Sequence, residues 1–320
     1  MRLLDIRNAR LTAIIVPDAP LERVLTGFKF TEGPVWHPYE KHLRFSDILG
    51  NSIFEWTPAQ GERAGLRDIR PNSHLANGNT YDREGRLITC HQGSSHVTRV
   101  EHDGSITTLA THYQDKELNS PNDVVVRSDG LIYFTDPDSG RSAEDGIPRP
   151  PQLAFSGVFM LHPVTLEINL LADDFARPNG LCFSVDERQL YVSDTDHFHI
   201  RVFDVSANGT LTNSRVWAEI NSEDEVVPDG VPDGVPDGVP DGVPDGVPDG
   251  LKFDSAGNLY SCGPGGIHVF TPDAMWLGVI RTPEIASNFT WGDDDLLSLY
   301  IAARTSIYRV RVNVPGIRVF

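Results

Sequence analysis

Six positions along this 320-residue chain carry a side-chain oxygen at the entry to a short apolar run: Glu32, Asn77, Asn122, Asn179, Asp249 and Asn288. Two carboxylates and four amides make an oxygen-only donor set. Ca²⁺ takes roughly six to eight oxygens, and Mg²⁺ or Mn²⁺ fits the same ligands with more water. No anchor is His or Cys, and no His pair is read as having zinc-ligand spacing, so zinc is not expected. An ion whose shell the protein fills only in part leaves room for water and substrate. The chemistry that follows is hydrolytic: a polarised carbonyl, an attacking water, and a carboxylate to take its proton.

Six distant residues serve one ion only if the fold brings them to one axis. The segments read Glu32-Gly33-Pro34-Val35-Trp36, Asn77-Gly78-Asn79-Thr80-Tyr81, Asn122-Asp123-Val124-Val125-Val126, Asn179-Gly180-Leu181-Cys182-Phe183, Asp249-Gly250-Leu251-Lys252-Phe253 and Asn288-Phe289-Thr290-Trp291. Their spacings are 45, 45, 57, 70 and 39 residues, a period that marks radial β architecture. Turn residues such as Asp82-Arg83-Glu84-Gly85 and Asp254-Ser255-Ala256-Gly257 separate each first strand from a second. Long helical periodicity is absent. The expected fold is all-β, six blades around a central metal site, in one domain over 1–320. After Asn288 only two strands remain, Leu299–Ala302 and Ser306–Val312, so the last blade must borrow a strand from around Leu21–Leu25. That closure removes free sheet edges.

The two long spacings have visible causes. Asp136–Phe155 contains four prolines and several charges, cannot be an internal strand, and reads as a lid over one face. Val227–Gly250 is six consecutive copies of Val-Pro-Asp-Gly, a composition that favours a string of turns. Removing five copies returns the interval of 70 residues to 50. One copy is therefore read as architectural and five as expansion. Each copy offers one carboxylate and no fixed cage, so the array is not read as a calcium-binding repeat. Asp249 abuts Leu251-Lys252-Phe253 as the other anchors abut their strands and is the ligand candidate, with Asp245 as the alternative if the register slips.

Composition narrows the partners. With 27 basic and 45 acidic residues the formal net charge is −18, and nucleic acid and anionic membranes are excluded as partners for want of a phosphate-neutralising patch. Cys90, Cys182 and Cys262 lie inside apolar runs and read as reduced core residues. His37, His74, His91 and His96 read as structural or solvated. No serine elbow, Cys-x-x-Cys pair, phosphate loop or dinucleotide fingerprint is present. Residues 1–20 lack the apolar core of a signal peptide, so a cytoplasmic protein is expected, with export by a removed signal left open. Oligomeric state is not legible.

Glu32-Gly33-Pro34-Val35-Trp36, Asn119-Ser120-Pro121-Asn122-Asp123, Arg177-Pro178-Asn179-Gly180-Leu181 and Pro248-Asp249-Gly250 together resemble the signature segments of the SMP-30/gluconolactonase-like family. With Phe134-Thr135-Asp136-Pro137 and Tyr191-Val192-Ser193-Asp194, the resemblance is closest to the bacterial gluconolactonases and covers about Leu21 to Val312. It implies a six-bladed β-propeller with a calcium-type ion in the channel, bound by Glu32, Asn179 and Asp249. Asn122 is implied as a further ligand or a substrate contact, with Asp123 beside it as a substrate contact. One position departs: animal members place an Arg where this chain has Ser120, which removes the basis for an animal-type grip on a sugar. Asp249 is expected as the general base. Asn77 is expected to contact substrate or to cap a turn, and Asn288 likewise. The expected activity is hydrolysis of a sugar lactone. The alternatives are a related propeller hydrolase acting on other esters or organophosphates, and a non-catalytic calcium-stabilised binder of sugar acids.

Overall fold

The computed structural model describes residues 2–61, 64–220 and 246–320. Six antiparallel sheets form the six blades of a propeller. Their first strands are Thr31–His37, Ala76–Tyr81, Val124–Val126, Pro178–Phe183, Leu251–Phe253 and Ala286–Gly292. Each is followed by neighbours in chain order. Blade one, for example, continues with His42–Asp47, Ser52–Trp56 and Leu66–Pro71. Among the described residues only short helical turns interrupt the strands, such as Leu11–Ile14. No helix among the described residues is long and apolar enough to cross a membrane.

The ring closes as the strand count requires. Glu22–Thr26 pairs with Ser306–Arg311 as the outer strand of blade six, with Glu22 opposite Arg309 and Thr26 opposite Ser306. A second loan is not apparent in the sequence. Leu4–Ile6 adds a fifth strand to the outer edge of blade five, against Trp276–Arg281. Apolar side chains fill the gaps between blades. Trp36 of blade one stacks on Tyr300 of blade six at 5.8 Å, and Tyr260 of blade five meets Trp291 of blade six edge-on at 4.9 Å. The three cysteines are buried and unpaired, as expected.

The anchors do not sit in turns. Glu32, Asn77, Asn179 and Asn288 lie inside their first strands, each at a break in register: Glu32/Val35, Ala76/Asn79, Pro178/Leu181 and Ala286/Asn288. A bulge of this kind re-aims a side chain that regular pleating would point elsewhere. The glycine after an anchor is there for close approach. A Cβ on Gly180 would lie 2.5 Å from the Asp249 carbonyl oxygen of the next blade, nearer than real contacts allow. Gly33 meets the neighbouring blade in the same way and adopts φ +53 besides.

The expansion reading of the repeat concerns residues outside those described, as does Asp245. The last copy is held on both sides. Pro248 and Asp249 carbonyls accept hydrogen bonds from Thr195 and Ser193 of blade four at 2.7 and 2.8 Å. Gly250 N–H donates to the Ser287 carbonyl of blade six at 2.9 Å.

Candidate active site at the channel

At one end of the channel lies a cavity of about 170 Å³ lined by Glu32, Asn77, Asn122, Asn179 and Asp249. Five of the six anchors therefore meet in one place. Asn288 lies behind them, its Nδ2 donating to Glu32 Oε2 at 3.1 Å and its Oδ1 accepting from Lys252 Nζ at 2.7 Å. Asp123 departs from expectation. It does not line this cavity but a second one of about 180 Å³, with Asn79, Lys252 and Trp291. The reason is local: Val124 begins the strand directly after it, and Asp123 Oδ1 turns to accept that residue's N–H at 2.9 Å. Ser120 is likewise outside the cavity lining, bonding Pro137 O and accepting the Gly140 N–H at 3.0 Å. None of His37, His74, His91 and His96 lines the cavity.

A repeated dipeptide aligns the anchors, and its role is not legible before the blades are assembled. The second strands of blades one, three and four end in Ser46-Asp47, Thr135-Asp136 and Ser193-Asp194. Each hydroxyl donates to the carbonyl of the next blade's anchor: Ser46 to Asn77, Thr135 to Asn179, Ser193 to Asp249, at 2.7 to 2.8 Å. Each aspartate accepts backbone N–H groups from the loop entering its own blade, as Asp194 does from Ala176 and Arg177 at 3.0 Å. The recurrence of [Ser/Thr]-Asp was the available signal.

The electrostatics select what the cavity can hold. Burial pushes the Glu32 carboxyl up to about 7, and the Asp123 charge pushes the same way; the Gly33 N–H and Asn288 oppose them. Asp249 is driven well above the ordinary range by burial and then by Glu32 and Asp123. Asp123 is raised by burial, with Lys252 pulling it back. When ionised, the carboxylates of Glu32, Asp249 and Asp123 against the Lys252 ammonium carry two negative charges, which a divalent cation neutralises. The carboxylate and amide oxygens of the five anchors fit such an ion.

Of the residues at the cavity mouth, sequence reasoning marked only the 136–155 segment, as a lid. Gln92 links it to the anchors by accepting from Asn77 Nδ2 at 2.8 Å and donating to Asp145 O. Ser139 and Asp145 come from the 136–155 segment, Arg177 and Thr195 from blade four, and Phe30, Ile48 and Leu49 give an apolar wall. A second departure lies on blade four. Asp194, His197 and His199 bring one ligand atom each to within 4.8 Å of one another, although no His pair was expected to have metal spacing. The cause is the turn joining two paired strands, which folds a His-x-His back onto an aspartate.

The sequence pattern of the SMP-30/Gluconolactonase/LRE-like region matches residues 30–305, most of the chain. The chain belongs to this family. A gluconolactonase of Zymomonas mobilis is 31% identical over 331 aligned positions, covering 97% of this chain and 86% of that protein. A pentonolactonase of Haloferax volcanii is 25% identical, covering 86% and 82%. The solved structure of a gluconolactonase from Xanthomonas campestris superposes with a TM-score of 0.82 at 32% identity, covering 98% of this chain and 95% of that one. Within the family pattern fall all six anchors, the cavity they share and the Asp194 cluster.

Proposed function

We propose that this chain is a lactonase that hydrolyses a sugar lactone to its hydroxy acid in the channel-mouth cavity, with Glu32, Asn179 and Asp249 as ligands of a divalent, calcium-class ion and Asn122 in or beside its shell. The observation that carries this reading is the convergence of five oxygen-bearing anchors, two of them carboxyl groups, on one cavity. The lactonase names of the relatives support it. When bound, the cation supplies Lewis-acid polarisation of the lactone carbonyl.

The rest of the reaction belongs to the chain. Asn77 and Asn122 present amide groups that orient the lactone's oxygens. Asp249 takes the proton from attacking water through the carboxylate oxygen turned away from the ion. A carboxylate has two oxygens, so the ligand and base roles are compatible. The water oxygen bonds to the carbonyl carbon, the ring C–O bond breaks, and the released ring oxygen takes the proton from Asp249. Phe30, Ile48 and Leu49 pack on the carbon skeleton, and 136–155 acts as a lid that keeps bulk water out through Ser139 and Asp145. Asp123, placed in the other cavity, serves as a charge beneath the site rather than as a substrate contact. Three free buried cysteines suit a reducing compartment, and we place the protein in the cytoplasm.

The test is a pH-stat assay over aldonolactones, simple esters and organophosphates, with and without chelator. Sugar lactones should turn over fastest. Chelator should abolish turnover and added calcium restore it. Asp249→Asn should lower kcat/KM by about 100-fold or more, the contribution of a positioned general base. Chelator-resistant turnover, or full activity in Asp249→Asn, contradicts the proposal.

A further inference from the structure

Blade four carries a group of side chains that the lactonase site does not use. Asp194 ends one strand and His199 opens the next, and the two are cross-strand partners. His197, on the turn between them, places Nδ1 2.8 Å from Asp194 Oδ2. The two imidazoles lie nearly parallel, 26° apart, with centroids at 5.3 Å. His199 Nε2 is buried with no hydrogen-bond partner. Asp194 is fully buried and held by the Ala176 and Arg177 N–H groups. The His197 side chain is 56% exposed, so the cluster opens to solvent on one side.

The loop-capping role of Asp194 explains the carboxylate but not the histidines. Asp47 and Asp136 perform the same task in blades one and three, and the residues that follow them are Ile48-Leu49-Gly50 and Pro137-Asp138-Ser139. Only in blade four is the turn written His197-Phe198-His199, with both rings on the aspartate. Two imidazole nitrogens and a carboxylate oxygen, with water completing the shell, are the ligands a borderline-soft divalent ion prefers. They differ in kind from the oxygen-only channel.

We propose that Asp194, His197 and His199 form a second cation site at the rim of blade four, for a zinc-class ion, separate from the calcium-class site in the channel. The site adjoins that channel through its own turn. Thr195 accepts from Asn179 Nδ2 at 3.1 Å and donates to the Pro248 carbonyl at 2.7 Å. An ion fixing this turn therefore braces the residue that holds two strands of the channel site.

The test is calorimetric titration of Zn²⁺ into the untagged full chain with calcium in excess, repeated with Co²⁺ while its visible absorption is followed. One zinc per chain should bind, and cobalt should give the absorption of a nitrogen-ligated ion. His197→Ala and His199→Ala should each weaken zinc by at least about 10- to 100-fold, the loss that even a group behind a ligand can cause. Thermal melts establish that both variants are folded; His197, on an exposed turn, provides the comparison if His199→Ala is not. Glu32→Gln should leave zinc binding unchanged, so failure of this site and failure of the channel site give different results. Absence of zinc binding in the wild type, zinc binding that survives both histidine changes, or zinc binding lost in Glu32→Gln overturns the proposal.

Discussion

Asp136 closes the second strand of blade three with one carboxylate oxygen accepting the Asn119 N–H at 2.8 Å and the other buried without a partner. Burial pushes its pKa from an ordinary 3.8 up to about 7, against the pull of backbone N–H groups, Arg141 and Arg149. An acid raised on folding keeps its proton longer in the native state, so protonation favours the fold. Its contribution is greatest below the ordinary aspartate value, declines as pH rises towards about 7, and stays low above that. Asn at this position mimics the protonated form. Asp136→Asn should match the wild type in urea near pH 4 and exceed it at pH 8; identical pH slopes in the two proteins would dismiss the assignment. At this scale the sequence was a partial guide. Glu32, Asn77, Asn122, Asn179 and Asp249 share a cavity because each is one residue type at one place in a repeated unit. Asp123 was misplaced because adjacency along the chain was taken for adjacency in space, while successive residues near a strand point to opposite sides. Gln92 repeats nothing along the chain, so no pattern marked it, and Arg177 stood in a signature segment with no role assigned to it.

The elements were legible to within a residue or two wherever a turn punctuates them. The expected closing strand around Leu21–Leu25 is found at Glu22–Thr26, and the expected strands Leu299–Ala302 and Ser306–Val312 at Ser298–Ala303 and Ser306–Arg311. Bulges were not legible: Asn-Gly in a sequence suggests a turn, whereas Asn77-Gly78 and Asn179-Gly180 stay in strand and shift its register. The last Val-Pro-Asp-Gly copy shows what position adds to composition. Its carbonyls are clamped by Ser193 and Thr195, and Leu251 behind it is fully buried. Deleting Val227–Gly246 keeps that copy joined to its strand. Loop-closure cost changes by only about 0.6 kcal/mol per doubling of length, so the shortened chain should melt at the same temperature or slightly higher. Its lactone turnover should be unchanged. A folded deletion variant without activity would show that the upstream copies have a role of their own.

The whole molecule is a ring, and its function follows from that. A blade alone has two sheet edges and one anchor; six in a ring have one channel and a shared set of oxygens. Closure by Glu22–Thr26 could be inferred by counting strands, because the last unit was too short to make a blade. The added strand Leu4–Ile6 could not, since three residues carry no period and blade five was already complete. The excess of acidic residues, 45 against 27 basic, accords with the proposed central cation and an uncharged lactone substrate. The account stands or falls on that cation. Calcium calorimetry on the wild type and on Glu32→Gln tests it most directly, because the substitution keeps the side chain's shape and removes one charge from blade one's contribution. Wild-type protein should bind one calcium in the channel, and the variant should bind it at least tenfold more weakly, a loss of about 1.4 kcal/mol or more. Equal calcium affinity in the two proteins would contradict the claim that the anchors converge to hold an ion.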